Sequence, residues 1–459
     1  MRHAIVGAAF LALVSVQAMG ETPASVSAAI PGLAGINALE NSKAGKAALT
    51  ANLKATGDIQ SGKAHQPLLL TWADQQKQAL KDAFITSENA NELADALGSK
   101  LGDVYQTATH YTRPAGGGRP VAGSLSKLAE NLLQYASGVA QTDSSAGKFL
   151  FANGTSNGTA PADPDLVLKA GKATDVFGRF YGVPAGTTRS DLCGEGLNPY
   201  GNARPFQTEP SITPISGSDF FGDPADSKSY LCMAPQDLRK NPSYPSGHTT
   251  YGYTESLVLA LLVPERYPQM AVRGAEYGNS RIILGAHYAM DVLAGRTLAL
   301  YDLAQLLANK QGYVGQTRGT QIDDFQKALT DARAELTPML AMACGDTVAA
   351  CAKQDTSRFA DLAKDRAFYN STQTYGLGTV STRLAKRVED VAKLAPEAGN
   401  LLTAAYPYLS LAQANAILTK TEGPGGGFLD NGTGFGVYSR LNLFEASLRA
   451  MALAPKAKH

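Results

Sequence analysis

Three consecutive helical segments constrain the fold of this chain more than any other feature. Apolar residues recur at helical spacing over residues 249–263, 267–283 and 287–309, and only short interruptions separate these segments. Similar patterns occupy much of residues 75–101 and 323–454, whereas strand patterns are few. The sequence therefore predicts an all-α fold, a helical bundle with N- and C-terminal helical extensions.

Composition restricts the classes of partner. The 459 residues are 44% hydrophobic and 18% charged, which is enough apolar material for a large core. Lys and Arg total 41 against 40 Asp and Glu, so the net charge is +1. This balance offers no basic excess for nucleic acid or an anionic membrane surface. We expect no nucleic-acid partner, and we leave a homo-oligomer open.

The N-terminus has the pattern of a secretory signal peptide. Arg2 and His3 precede an apolar run over residues 4–16, and small residues follow up to Gly20. We predict that residues 1–20 are removed; a buried N-terminal helix is the alternative. The strongest later apolar run, residues 257–263, is too short to cross a bilayer. The sequence thus predicts a secreted or periplasmic protein without an integral membrane segment after signal removal.

The four cysteines are expected to form disulfides, because a secreted protein folds in an oxidising compartment. Cys344 and Cys351 flank a short polar stretch and would close a small loop, which would leave Cys193 to pair with Cys232. Four cysteines allow three pairings, and the sequence does not choose among them.

Three regions follow the signal peptide. We predict an N-terminal helical region over residues 21–145, a catalytic core over residues 146–310 and a mostly helical C-terminal extension over residues 311–459. Within the core, residues 198–245 are rich in Pro, Gly, Ser and Asp, which predicts irregular structure. A connection of this length is more often functional than idle.

A histidine and an aspartate lie at the start of the third helical segment. His287 and Asp291 are four residues apart and would share one helical face. A carboxylate in that place accepts the imidazole N–H and leaves the other nitrogen free as a nucleophile. The alternative is a buried His–Asp pair with a purely structural role.

A turn begins the first of the three segments. Pro245 and Gly247 set this turn, and the backbone N–H groups that follow it, with the Ser246 hydroxyl, would form an anion cradle. His248 would stand at its rim and protonate a leaving oxygen. The alternative is that Ser246 only caps the helix and His248 is an exposed first-turn residue.

Two arginines complete the candidate site. The planar guanidinium groups of Arg204 and Arg281 suit phosphate oxygens, although each arginine alone would also fit a surface ion pair. The other histidines have no metal-ligand spacing and receive no role: His3, His65, His110 and His459. We therefore expect no metal site.

The ordered combination of these motifs resembles the type 2 phosphatidic acid phosphatase superfamily. That superfamily includes bacterial class A non-specific acid phosphatases and vanadium haloperoxidases, and its signature is Lys-x6-Arg-Pro, Pro-Ser-Gly-His and Ser-Arg-x5-His-x3-Asp. The second motif is complete here at residues 245–248. The third is complete, and the likeness to the class A phosphatases extends upstream of it; the matching positions are Gly274, Glu276, Gly278, Ser280, Arg281, His287 and Asp291. The resemblance implies a helical bundle of the phosphatidic acid phosphatase/haloperoxidase kind.

The first motif departs from the signature. Arg204 and Pro205 match it, but Leu197 occupies the position of the lysine. A missing ammonium group removes one charge-assisted bond to a phosphate oxygen. The sequence offers three replacements without selecting one: Lys228, Lys240 and Arg189.

The resemblance also implies a mechanism. His287 attacks phosphorus to form a phosphohistidine, Asp291 orients it, and His248 protonates the leaving oxygen and then activates water. The oxygens of the phosphate are held by four groups: Arg204, Arg281, Ser246 and the Gly247 N–H. Such an enzyme is a secreted, metal-independent acid phosphatase that acts on small phosphomonoesters without a cofactor, and vanadate is expected to inhibit it.

Three alternatives stay open at this point. A vanadium haloperoxidase would use the same pocket with vanadate as cofactor. A soluble lipid phosphate phosphatase would share the chemistry but not the substrate. A non-catalytic phosphate-binding protein is compatible with Leu197, although both histidines, both arginines and Asp291 are present.

Overall fold

The computed structural model describes most of the chain. The described residues are 29, 31–64, 68–87, 89–112, 121–150, 155–156, 160–161, 175–187, 192–194, 198, 201–209, 212–219, 222–233 and 237–455. The predicted signal peptide, residues 1–20, and the Leu197 and Arg189 positions lie outside these ranges.

Helices make up most of the described structure. In chain order the α-helices are α1 Lys43–Gln60, α2 Trp72–Ala83, α3 Gly98–Ala108, α4 Lys127–Leu150, α5 Val176–Tyr181, α6 Pro205–Thr208, α7 Ser227–Cys232, α8 Gly247–Leu262, α9 Tyr267–Ile283, α10 Ala289–Leu307, α11 Phe325–Cys344, α12 Val348–Ala352, α13 Leu362–Ser371, α14 Thr382–Ala385, α15 Val391–Leu394, α16 Asn400–Thr403, α17 Leu411–Lys420, α18 Gly434–Tyr438 and α19 Leu443–Ala452. Short 3₁₀ helices lie at Ala34–Asn41, Ala90–Leu97, Leu238–Lys240, Pro264–Arg266 and Pro396–Gly399.

Strands are short and occur in antiparallel pairs. The pairs within the described residues are β1 Tyr111–Thr112 with β2 Val121–Ala122, β3 Thr155–Ser156 with β4 Ala160–Pro161, β5 Ser216–Ser218 with β6 Pro224–Asp226, and β7 Gly315–Thr317 with β8 Thr320–Ile322. None of these pairs extends into a larger sheet among the described residues, so the prediction of an all-α fold is confirmed.

The three predicted central helices are α8, α9 and α10. Nearly every residue of these helices is buried, which is typical of helices that other elements cover on all sides. α8 packs against α4, α9 and α10, and α11 packs on the outer face of α4. The N- and C-terminal segments therefore wrap a central helical layer that carries the second and third sequence motifs.

Glycines permit close contacts between the central helices. A Cβ atom on Gly252 would lie 2.2 Å from the Tyr277 ring, and one on Gly278 would lie 2.9 Å from Val292. At Gly295 on α10, a Cβ atom would lie 2.5 Å from the Ser246 carbonyl oxygen. This last contact fixes the start of α8 against α10, and it thus brings two sequence motifs together.

Substitution of Gly295 by alanine is expected to destabilise the fold. The added methyl group meets backbone at Ser246, which has no room to move between two buried helices, so we expect a loss of about 1–3 kcal/mol in the free energy of unfolding. Gly57 in α1 is a matched control, because a Cβ atom there meets nothing within 4 Å. Gly57→Ala should instead raise the free energy of unfolding by about 0.5–1 kcal/mol, because alanine is favoured over glycine inside a helix. Urea denaturation of both variants checks the pair, and equal effects would contradict the packing described here.

Two disulfides join the four cysteines. Cys193 pairs with Cys232, and Cys344 pairs with Cys351. The first bond ties α7 to the irregular region that precedes Arg204. The structure thus selects one of the three pairings that the sequence left open.

The division of the chain into regions stays a prediction. α4 runs without a break through residues 145 and 146, where the sequence suggested a boundary. Across the described residues, no helix combines the length and the apolar character that a membrane span requires.

Candidate active site

His287 lies between an aspartate and an arginine. Its Nδ1 atom is 3.2 Å from Asp291 Oδ2, and its Nε2 atom is 3.1 Å from Nη1 of Arg204. An arginine only donates hydrogen bonds, so Nε2 accepts and the ring proton resides on Nδ1, against the carboxylate. The arrangement leaves the Nε2 lone pair directed towards a cationic group.

Asp291 is held in place by several donors. Its Oδ2 atom accepts a hydrogen bond from the Tyr288 backbone N–H at 2.9 Å and another from the Ser243 hydroxyl. These bonds arise because Asp291 is the third residue of α10, where a carboxylate caps unpaired N–H groups. Burial raises the pKa of Asp291 to about 7, and the Ser243 and Tyr288 bonds oppose that shift. The carboxylate is thus oriented before any ligand arrives.

Arg204 is fixed by backbone carbonyl groups. It donates to the Asn241 carbonyl oxygen at 2.7 Å, to that of Pro242 at 3.1 Å and to that of Ala286 at 2.8 Å. Its side chain is 1% exposed, and burial lowers its pKa to about 10. Its other two N–H groups face Asn241 Oδ1 and His287 Nε2. These neutral partners hold the guanidinium group without cancelling its charge.

The N-terminus of α8 adds backbone donors. Ser246 caps the helix, and its Oγ atom accepts from the Thr249 N–H at 3.2 Å and the Thr249 hydroxyl at 2.9 Å. The Ser246 hydroxyl hydrogen therefore remains free to donate. The first N–H groups of a helix, beginning with Gly247, have no partner within the helix. A partly buried His248 follows in the first turn of α8.

Tyr230 links the second histidine to the second arginine. Its hydroxyl oxygen is 3.2 Å from Nε2 of His248 and accepts a hydrogen bond of 3.2 Å from Nη1 of Arg281. The Arg281 guanidinium group also stacks 4.5 Å from the Tyr277 ring centroid. In the described part of the chain, Nε and Nη2 of this fully buried arginine have no hydrogen-bond partner. Two donors of Arg281 therefore remain for a ligand.

A lysine that the sequence reasoning missed completes the cationic lining. Lys148, on α4, is 7% exposed, and its Nζ atom lies 3.8 Å from where a Cβ atom of Gly247 would be. Nothing in the motif spacing points to Lys148. The one sequence signal is its place on an amphipathic helix, one turn after Ser144. The sequence offered three other replacements for the motif lysine. Lys228 is exposed on α7. Arg189 and the side chain of Lys240 lie outside the described part of the structure.

The electrostatic environment keeps both imidazoles neutral. Burial is the largest cause that lowers the pKa of His287 well below its usual value, and Arg204 is the next. Burial also lowers the pKa of His248, followed by the charge of Arg281. Lys148 acts in the same direction on both rings. The site thus combines buried positive charge with two histidines whose neutral forms are favoured.

Known proteins share the part of the chain that builds this site. Residues 198–307 match the family model described as PAP2 superfamily. This part of the chain is a PAP2 superfamily domain. The PAP2 domain contains Arg204, α8, α9 and α10, whereas Lys148 lies outside the matched residues.

Curated relatives of the PAP2 domain are bacterial phosphatases by name. The chain is 47% identical over 105 residues to a non-specific acid phosphatase of Salmonella typhimurium, which is 22% of this chain and 37% of that protein. It is 45% identical over 71 residues to an acid phosphatase of Zymomonas mobilis, 16% of this chain and 27% of that protein. A non-specific acid phosphatase of Providencia stuartii is 40% identical over 98 residues, 21% of this chain and 34% of that protein. The chain thus spans between 27% and 37% of the length of these relatives.

Some matched residues support the site from a distance. Ser280 donates a 2.7 Å hydrogen bond to Asp82 on α2, and Asp82 forms a buried ion pair with Arg273. Glu276 pairs with Arg358 at 2.7 Å. These contacts anchor α9, which carries Arg281, so we assign Ser280 and Glu276 a structural role in the PAP2 domain.

The donor set of the site is cationic and hydrogen-bonding. Among the described residues, no group of three or more His, Cys, Asp or Glu side chains is arranged to hold a metal ion. Guanidinium groups, helix N–H groups and a hydroxyl instead surround His287, and these are the groups that bind phosphate oxygens in proteins.

Proposed function

We propose that this protein is a secreted or periplasmic acid phosphatase that hydrolyses small phosphomonoesters through a phosphohistidine on His287. The observation that carries the proposal is the pair of contacts on the His287 ring. Asp291 holds the Nδ1 proton, and the Nε2 lone pair accepts a hydrogen bond from Arg204. In the proposal, Arg204 transfers this bond to a phosphoryl oxygen when substrate binds, which frees Nε2 to attack phosphorus. A neutral imidazole oriented in this way is a nucleophile that needs no further deprotonation.

The first step forms an N–P bond and breaks the ester P–O bond. Nε2 of His287 donates its electron pair to phosphorus, and the leaving oxygen departs with a proton from His248. The Arg204 and Arg281 guanidinium groups, the Ser246 hydroxyl and the Gly247 N–H stabilise the charge on the non-bridging oxygens. Such stabilisation is the main contribution a protein makes to phosphoryl transfer.

The second step returns the enzyme to its starting state. His248, now neutral, accepts a proton from a water molecule that attacks phosphorus on the side the leaving group vacated. The N–P bond breaks, and inorganic phosphate leaves. The same imidazole thus serves as acid and then as base, which microscopic reversibility permits.

Binding of substrate would supply the proton that His248 needs. Burial and the Arg281 charge depress the pKa of His248. A phosphate anion placed beside the ring favours its charged form and raises that pKa. The protonated fraction of His248 in the complex increases as the solution becomes mildly acidic, and this favours an acidic optimum.

Metal independence follows from the same charge arrangement. Two arginines and a helix N-terminus neutralise the phosphate in this proposal, which is the role of magnesium in many phosphotransferases. The acid phosphatase names of the bacterial relatives support the same chemistry over the residues that they share with this chain.

Purified mature protein is expected to hydrolyse p-nitrophenyl phosphate at mildly acidic pH. We expect the rate to be unchanged by EDTA and suppressed by orthovanadate, because vanadate would occupy the phosphate site. The measurement is release of p-nitrophenol across a pH series, with and without each reagent. Loss of activity in EDTA that a divalent ion restores would contradict metal independence. Bromide oxidation on addition of vanadate and peroxide, without phosphatase activity, would instead favour a haloperoxidase.

A further inference from the structure

We propose that Lys148 is a phosphate-binding residue of this active site, and that it provides from α4 the ammonium charge that the first sequence motif lacks. The inference rests on the proposed function and extends it to a helix outside the PAP2 domain. Leu197 stands where the motif would place a lysine, seven residues before Arg204. Lys148 instead lies on α4, beside the first residue of α8.

The position of Lys148 relative to the anion cradle is the first argument. Its Nζ atom lies 3.8 Å from where a Gly247 Cβ atom would be, and the Ser144 Oγ atom lies 3.3 Å from the same point. α4 therefore presents two polar groups, one turn apart, to the first residue of α8. A glycine at 247 leaves the space between them open, and a phosphate oxygen bound to the Gly247 N–H would occupy that region.

The charge around Lys148 is the second argument. An ammonium group beside the positive end of a helix is unfavourable unless an anion lies between them. Lys148 is 7% exposed, so water offers little compensation. Arg204 lies near enough to lower the pKa of Lys148 further, after the larger effect of burial. The charge of Asp291 opposes these two effects and is the smallest of the three. The surroundings of Lys148 therefore destabilise its ammonium form unless an anion binds beside it.

Unsatisfied donors nearby are the third argument. Nε and Nη2 of Arg281 have no hydrogen-bond partner among the described residues, although the side chain is fully buried. Buried donors without partners cost free energy, and that cost is removed when a ligand accepts their hydrogen bonds. Lys148, Arg204 and Arg281 thus surround one space whose charge a phosphate dianion would balance.

The test compares Lys148→Met with Lys127→Met. Methionine removes the ammonium group and keeps the length of the side chain. Lys127 is the matched control, because it lies on the same helix with 76% of its side chain exposed. We expect Lys148→Met to lower kcat/KM for p-nitrophenyl phosphate by about 10²–10³-fold, the usual effect of losing one donor to a developing oxyanion. Lys148→Arg should recover part of the loss, and Lys127→Met should match the wild type.

The pH profile separates a role in charge stabilisation from a structural one. The charged and titratable groups around the two imidazoles are Arg204, Arg281, Lys148, Asp291, Tyr230 and Tyr251. Lys148 lowers the pKa of both rings, so its removal raises both. The acidic limb depends on neutral His287 and on ionised Asp291, whose pKa Lys148 also lowers, and the alkaline limb depends on protonated His248. Both limbs should therefore move to higher pH in Lys148→Met. A structural role would lower the rate without moving either limb.

Inorganic phosphate provides a readout that does not require turnover. Added phosphate should raise the Tm of the wild type and of Lys127→Met, and raise that of Lys148→Met much less, because ligand binding to the folded state stabilises it. Without phosphate, the Tm of Lys148→Met should equal or exceed that of the wild type, since repulsion from Arg204 is removed. Equal phosphate stabilisation and equal kcat/KM in both methionine variants would overturn the inference. A wild type that binds phosphate through Lys148 but hydrolyses nothing would sustain it and reject the proposed function.

Discussion

Replacement of His287 by alanine is expected to lower kcat for p-nitrophenyl phosphate by on the order of 10⁴–10⁶-fold, the scale seen when an enzyme loses its nucleophile. The variant keeps the cationic lining, so it should still bind phosphate while it no longer forms the N–P bond. Alanine also leaves Asp291 without its imidazole partner, and burial already raises the pKa of that carboxyl to about 7. We expect Asp291 to become protonated in the variant, which limits the loss of stability.

The comparison needs a histidine that lies outside the site. His110 is exposed and serves as the control, so His110→Ala should retain wild-type kcat and KM. The measurement is steady-state hydrolysis at the pH optimum, together with phosphate-induced change in Tm for each variant. A His287→Ala protein that is folded, binds phosphate and retains more than a few per cent of the activity would contradict the nucleophilic role.

Replacement of His248 by alanine is expected to impair hydrolysis according to the leaving group. A general acid contributes about 10²–10⁴-fold where the departing oxygen needs a proton. p-Nitrophenolate leaves readily without one, whereas an alkoxide does not. The defect in kcat/KM, which reports formation of the phosphohistidine, should therefore be small for p-nitrophenyl phosphate and approach the full factor for alkyl phosphates. The value of kcat should fall for aryl phosphates as well, because hydrolysis of the intermediate lacks its base. In His248→Ala, the logarithm of kcat/KM should depend more steeply on the pKa of the leaving group than in the wild type.

A series of aryl and alkyl phosphates measures that dependence. The Tyr230 hydroxyl and the Arg281 guanidinium group remain in the variant, so binding of the phosphate group itself should change little. An equal defect for every leaving group would show that His248 acts on binding or on the water step alone. His110→Ala again provides the unaffected reference.

The sequence predicted the limits of the three helices that carry the site, but it did not predict the long-range contacts around them. Residues 249–263, 267–283 and 287–309 were expected to be helical, and α8, α9 and α10 begin and end within two residues of those limits. Their apolar residues and their terminal Ser246, Pro264 and Asp291 signals are local, so sequence alone suffices. The pairing of cysteines depends on long-range geometry, and only the fold could select it.

The sequence predicted the site residues that belong to the three motifs, and it did not predict the site residues outside them. The structure brings together all seven predicted residues, because the Gly295 contact joins α8 to α10 and the Ala286 carbonyl receives Arg204. Their catalytic roles remain predictions. Tyr230 and Lys148 were missed because each reaches the site from a separate helix, α7 or α4. From sequence alone, a single lysine on an amphipathic helix is expected to face solvent. Only the packing of α8 against α4 shows that Lys148 is buried.

The most direct test of the covalent mechanism is rapid quenching of the enzyme with ³²P-labelled phosphomonoester, followed by peptide mapping. Trapped label should be stable in alkali and labile in acid, as an N–P bond is, and it should reside on the peptide that contains His287. It should accumulate in His248→Ala when an aryl phosphate is the substrate, because departure of the phenolate needs little acid and hydrolysis of the intermediate lacks its base. Label on Ser246, or a wild type that turns over rapidly without label at any quench time, would contradict a phosphohistidine at His287.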